Sequence, residues 1–147
     1  MKSYAVLFPG QGSQNKDMLI PYLDNKAFRN TIDEASDILG YKITDVVKNE
    51  DKLNNTIFTQ PIMVSISTAM WIAWKEVFKE SPICAAGHSL GEYSALIASN
   101  LLSLKECLLL VSERAKLMSN AMEGKTGGMA AIIGLEPNKI IQICQDL

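Results

Sequence analysis

Apolar positions along this chain take two forms, short unbroken runs and longer stretches at helical spacing. Tyr4 to Phe8 is a short run stopped by Pro9-Gly10 and predicts a buried strand. Phe28, Ile32, Ala35 and Leu39 share one helical face, and Gly40 stands where that helix would end. The polar stretch from Lys48 to Asn55 predicts a surface loop with room for a short turn. Pro61, suited to a first helical position, opens a long helix to about Lys79 that is apolar almost all round and therefore buried. Pro82 to Ala86 predicts a second strand, and Leu90 to Asn100 a second helix. Ser103-Leu104-Lys105-Glu106 is a capping box starting a third helix to about Met122. Gly124 to Gly128 predicts a hinge, Met129 to Ile133 a strand, and Pro137 the start of a further helix. This alternation predicts an α/β fold, a parallel sheet flanked on both faces by helices. The hinge divides residues 1–124, one large α/β unit, from 125–147, the beginning of a smaller one.

Composition narrows the function. The chain has 147 residues, 48% of them apolar, and a net charge of −2. It carries no basic run, which excludes nucleic-acid binding through phosphate neutralisation. An anionic ligand stays open, because one arginine or one helix N-terminus suffices to hold it. Cys84, Cys107 and Cys144 lie far apart and fit neither metal spacing nor a disulfide framework, so they are expected reduced, buried and inert. No metal site is expected. Met1 leads directly into the first strand without a cleavable signal, and the longest apolar stretches contain Ser, Lys or Glu and are read as too short for a bilayer. The expectation is a soluble cytoplasmic protein without a membrane partner.

Chemistry concentrates at Gly87-His88-Ser89-Leu90-Gly91, a G-x-S-x-G pattern between a predicted strand and a predicted helix. A serine on so sharp a turn needs small residues two positions away on either side. In return its oxygen is exposed near the N-terminus of the next helix, where backbone N–H groups stabilise a developing oxyanion. The rival is an ordinary glycine-flanked turn, and the strand–helix setting favours catalysis. His88 is the only histidine in the chain. Adjacent residues leaving a strand point to opposite sides, so His88 is read as a structural residue of the elbow, and the base for Ser89 must come from elsewhere.

Gly10-Gln11-Gly12 follows the first strand, but a dinucleotide fingerprint needs glycine where Asn15 stands. Gly124-Lys125-Thr126 imitates the end of a P-loop, but Ser119 occupies the position of its first glycine and a helix precedes it. Both motifs fail. The first loop retains another use: beside the elbow, the Gln11 N–H between two glycines would be a second oxyanion donor.

Phe8-Pro9-Gly10-Gln11-Gly12-Ser13-Gln14, Thr59-Gln60-Pro61 and Gly87-His88-Ser89-Leu90-Gly91-Glu92-Tyr93-Ser94-Ala95 resemble the malonyl-CoA:acyl-carrier-protein transacylase family. Ser112-Glu113-Arg114 with Met118, and Gly128 to Gly134, extend the resemblance in order along the whole chain. The resemblance implies Ser89 as the acylated nucleophile, the N–H groups of Gln11 and Leu90 as oxyanion hole, Arg114 gripping the malonyl carboxylate and Gln60 lining the pocket. His88 joins Arg114 and Gln60 as a candidate of the substrate site. It further implies ping-pong transfer of malonyl from coenzyme A to Ser89 and on to the phosphopantetheine thiol of acyl carrier protein, in fatty acid biosynthesis. Malonyl-CoA and acyl carrier protein would be the partners, with coenzyme A thioester as substrate and no tightly bound cofactor. The implied fold is a hydrolase-like acyltransferase subdomain, with the start of an inserted ferredoxin-like subdomain after the hinge. Members of the family are about twice as long and carry their catalytic histidine in the further part, so the chain is expected to be an incomplete, inactive portion.

By helix position alone, Arg114 would be an exposed arginine paired with a neighbouring glutamate. A planar, bidentate cation also matches a substrate carboxylate entering a dry pocket. Met118, Met122 and Met129 are expected as core filling, and Trp71 and Trp74 as core or interface residues. Two other functions remain open: a serine hydrolase or thioesterase on the same elbow, and a non-catalytic remnant that binds acyl carrier protein.

Overall fold

Asn55 opens the helix around which the other elements pack. In the computed structural model, which describes residues 3–125 and 132–146, the chain runs β1 (Ala5–Phe8), a short 3-10 helix (Ile20–Tyr22), α1 (Lys26–Leu39), α2 (Ile43–Val47) and α3 (Glu50–Asn54). It continues as α4 (Thr56–Val77), β2 (Cys84–Gly87), α5 (Gly91–Ala98), α6 (Leu104–Met122) and α7 (Pro137–Asp146). The Asn55 side chain accepts from the Ile57 N–H at 3.0 Å, and its carbonyl accepts from Phe58 and Thr59. These bonds start α4 at Thr56 and correct the expected start at Pro61, which lies inside the helix. There it has no N–H for the Ile57 carbonyl and its ring crowds that carbonyl, a cost that the burial of Thr59 to Ala69 must offset.

α4 packs against α1 and α6, and Phe28, Ile32, Ile62, Val64, Leu108 and Val111 meet in that core. Thr59 through Ala69 are buried, whereas Met70, Ile72, Trp74 and Val77 are exposed. The expectation of burial along the whole helix therefore holds only for its first part. By length and composition α4 could cross a bilayer, contrary to the sequence expectation that no stretch is long enough. Its packing is that of a core helix, with most of its apolar window buried by neighbours.

β1 and β2 pair in parallel, with Ala5 opposite Cys84 and Phe8 opposite Gly87. Val6 and Phe8 turn towards the helices, and the Phe8 and Trp71 rings meet edge to face at 6.4 Å. Ala5, Leu7, Cys84 and Ala86 form the other face and are all exposed. Among the described residues, the sheet is thus covered on one face rather than two.

Three further expectations change. Lys48 to Asn55 is not simply a loop: Asn49 caps α3 by accepting from the Lys52 N–H at 3.0 Å, and Leu53 anchors it in the core. Of the cysteines only Cys107 is buried, and burial pushes its thiol up to about 11, while Cys84 and Cys144 are exposed. Met118 and Met122 are exposed rather than core filling, and Trp74, 44% exposed and stacked on Phe78, is not a core residue, which leaves the subdomain-interface reading. Met129, residues 126–128 of the expected hinge and most of the Met129–Ile133 strand lie outside the described residues; Ile132 and Ile133 are not in a strand. Gly124, just after α6, takes a left-handed φ of 69°.

Candidate active site

β2 ends at Gly87 and α5 begins at Gly91, so His88, Ser89 and Leu90 must reverse the chain. Ser89 does this with φ at +50°, a left-handed backbone that costs an L-residue roughly 1–2 kcal/mol. The flanking glycines are steric necessities. A Cβ at Gly87 would lie 2.0 Å from the carbonyl carbon of Gly91, and one at Gly91 would lie 2.2 Å from the Phe8 carbonyl oxygen. The elbow therefore closes on itself and against the end of β1. Ser89 is exposed at the head of α5. Among the described residues, the backbone N–H groups of Leu90 and Gln11 donate to no acceptor.

The strand register brings the first loop beside the elbow. The His88 N–H donates to the Phe8 carbonyl at 3.1 Å, and a Cβ at Gly10 would lie 2.8 Å from the His88 ring Nδ1. The imidazole thus sits against Gly10. His88 makes no side-chain hydrogen bond among the described residues, to Ser89 or to any other group.

α6 supplies the charge. Arg114 Nη2 donates to Ser89 Oγ at 3.3 Å, and Nη1 donates to Gln60 Oε1 at 2.5 Å. Its guanidinium also stands 5.7 Å from the Tyr93 ring, a cation–π distance. The expected pairing with a neighbouring glutamate is absent: Glu113 pairs with Lys116 at 3.8 Å, and no carboxylate faces Arg114 among the described residues. A half-buried guanidinium without a counter-ion, next to a serine oxygen, is suited to an incoming carboxylate.

Gln60 is fully buried on α4. Its Nε2 donates to Thr56 Oγ1 at 3.0 Å and to Met118 Sδ at 3.3 Å, and Thr56 Oγ1 donates to Gln11 Oε1 at 3.2 Å. The structure thus gathers Ser89, Arg114 and Gln60 directly, and ties Gln11 to them through Thr56. Thr56, Tyr93 and Met118 are site neighbours that the sequence did not mark as site residues. The signal was helical spacing: Thr56 precedes Gln60, and Arg114 precedes Met118, by one turn. A helix started at Pro61 hides the first pair.

A cavity of about 620 Å³ lies elsewhere, lined by Tyr4, Phe8, Trp71, Trp74 and Val77. It holds none of the polar chemistry gathered at Ser89, so the residues rather than the void mark the site.

Comparison with known proteins bears on this arrangement. The model of the acyl transferase domain family matches residues 6–147. The malonyl CoA-acyl carrier protein transacylase of Haemophilus influenzae is 42% identical over 149 residues, covering 99% of this chain and 48% of that protein. The crystal structure of an acyl-carrier-protein S-malonyltransferase from Burkholderia pseudomallei superposes with a TM-score of 0.88 at 41% identity, covering 99% of this chain and 48% of the other. A malonyl-transacylase in complex with its type II polyketide-synthase acyl carrier protein gives 0.89 at 40% identity, with the same coverage. The chain spans about half the length of the curated relatives it matches.

Proposed function

Because this chain belongs to the acyl transferase domain family, we propose that it carries the nucleophile and carboxylate clamp of a malonyl-CoA:acyl-carrier-protein transacylase of fatty acid biosynthesis. Ser89 Oγ attacks the thioester carbonyl of malonyl-CoA while a base takes its proton. The N–H groups of Gln11 and Leu90 receive the oxyanion, and coenzyme A leaves as the thiol when the base returns the proton. Arg114 holds the malonyl carboxylate, with Gln60 fixing the guanidinium. The phosphopantetheine thiol of acyl carrier protein then gives its proton to the base and attacks the malonyl ester; the bond to Ser89 Oγ breaks, and Oγ takes the proton back. Protein groups and the thioester suffice for this sequence, so it requires no tightly bound cofactor, and its setting is the cytoplasm.

The observation that carries the proposal is the 3.3 Å bond from Arg114 to Ser89, which puts a carboxylate-binding cation at the reacting oxygen. It also favours transfer of malonyl over the thioesterase alternative, since hydrolysis of a simple acyl thioester needs no clamp. Among the described residues only Arg114, which is a donor, bonds Ser89 Oγ, so the proposal takes the base from the length by which the relatives exceed this chain. His88, lying against Gly10, fits a supporting role at the substrate site better than proton transfer. In this reading residues 125–147 begin a second, ferredoxin-like subdomain, just after the left-handed Gly124 that follows α6.

The test uses a completed protein, residues 1–147 continued by the second half of the Haemophilus influenzae relative. Arg114→Ala should reduce malonyl transfer by about 2–5 kcal/mol in kcat/KM, the cost of leaving a buried charge unpaired. Acetyl transfer from acetyl-CoA should fall far less. Equal losses for both donors would show Arg114 to be structural.

A further inference from the structure

The bonds around Gln60 have a direction fixed by chemistry. An arginine guanidinium has only donors, so the side-chain atom of Gln60 facing Arg114 must be its oxygen. The amide is thereby oriented, and its Nε2, which can only donate, points along α4 to Thr56 Oγ1 at 3.0 Å. Thr56 must accept there, which leaves its single proton for the next partner. That partner is Gln11 Oε1 at 3.2 Å, and the Gln11 amide is oriented in its turn. The donor-only character of Arg114 thus propagates through Gln60 and Thr56 to the first loop.

We propose that Thr56 is a positioning residue, which holds the Gln11 loop in register with the Arg114 clamp so that the oxyanion donor and the carboxylate site keep a fixed separation. This role presupposes Ser89 as the acylated nucleophile. The loop needs such a tether. Gln11, Gly12 and Ser13 are exposed, and Gly12 has a positive φ of 114°. Their other side-chain links are the Gly12 N–H to Gln14 Oε1 at 2.8 Å and Ser13 Oγ to the Gly10 carbonyl at 3.4 Å, both within the loop. Gln14 reaches Asn54 at 3.2 Å, one position before the cap of α4. Thr56 is the link that runs on to the clamp itself. It is half-buried at the first turn of a helix whose later residues form the core, so it is anchored where the loop is not. An oxyanion donor is effective only when held where charge develops, and small misplacements far from the chemistry cost up to about a hundredfold.

Two substitutions separate this role from helix stability. Thr56→Val keeps the β-branched shape and removes both bonds, whereas Thr56→Ser keeps the hydroxyl. In the completed protein, Thr56→Val should lower kcat for malonyl transfer about tenfold, with KM for malonyl-CoA little changed. Thr56→Ser should restore kcat to within about twofold of the parent. In the 147-residue chain itself, the Gln60 side-chain amide protons should exchange with water several-fold faster in Thr56→Val than in the parent or Thr56→Ser. An unchanged kcat in Thr56→Val, an equal loss in both variants, or unchanged Gln60 exchange overturns the role. If the parent is acylated on Ser89 and Thr56→Val matches it, the positioning role alone falls. If the parent is not acylated on Ser89, the proposed function falls and takes this role with it.

Discussion

Ser89 holds a left-handed backbone that glycine would adopt without strain. Ser89→Gly should therefore be more stable than Ser89→Ala, by about 1 kcal/mol, although both lose the proposed nucleophile. Thermal unfolding of the two variants in the completed protein checks this, and an alanine variant at least as stable as the glycine one would remove the argument for a strained elbow. The elbow was legible because its sterics require glycine at fixed positions: Gly87 and Gly91 leave no room for a Cβ. Arg114 was legible as a candidate, but its environment was not. The i,i+3 spacing allows Glu113 to pair with Lys116, but nothing local in the sequence says that Arg114 is left without a carboxylate. Thr56 and Met118 were invisible for a related reason, since each acts through Gln60, a residue distant from Met118 in sequence and joined to it only by the packing of α4 on α6.

Among the elements, α6 was the most legible, because its start is specified by local bonds. Ser103 Oγ accepts from the Glu106 N–H at 3.2 Å, and Glu106 Oε2 accepts from the Ser103 N–H at 2.9 Å and from its hydroxyl at 2.6 Å. Ser103→Ala should cost about 1 kcal/mol of stability, read from denaturant unfolding. The hydrogen bonds from the Ser103 side chain and backbone hold the Glu106 carboxyl below its ordinary value of 4.5. A carboxyl with a depressed folded pKa adds stability above its unfolded value. That contribution is lost as pH falls through the folded one. The parent should thus lose stability on acidification below about pH 4.5 more steeply than Ser103→Ala, and parallel pH profiles would contradict the assignment. The shorter helices were illegible because packing decides them. Ile43, Val46 and Val47 of α2 are weak helix formers held by burial, and α3 is polar except for Leu53. The start of α4 was misplaced because proline marks a favoured first position, yet the asparagine cap before it took precedence.

At the scale of the molecule, the alternation of strands and helices revealed the α/β class, and the family match and superpositions agree with it. Coverage of both sheet faces did not follow, because a parallel sheet with both faces apolar needs more polypeptide than the described residues supply. Leu7 is 75% exposed on the open face beside Ala5, Cys84 and Ala86, and Val77 and Trp74 expose further apolar surface beside the large cavity. Under the proposed function, polypeptide that covers this surface would also bring the base for Ser89. The most direct test is the mass of the protein after incubation with malonyl-CoA, with the modified residue located by peptide mapping. The completed protein should gain one malonyl group on the peptide holding Ser89, Ser89→Ala should gain none, and the 147-residue chain alone should stay unmodified. A malonyl group on Cys84 or Cys144, one that survives Ser89→Ala, or rapid acylation of the isolated chain would contradict the account.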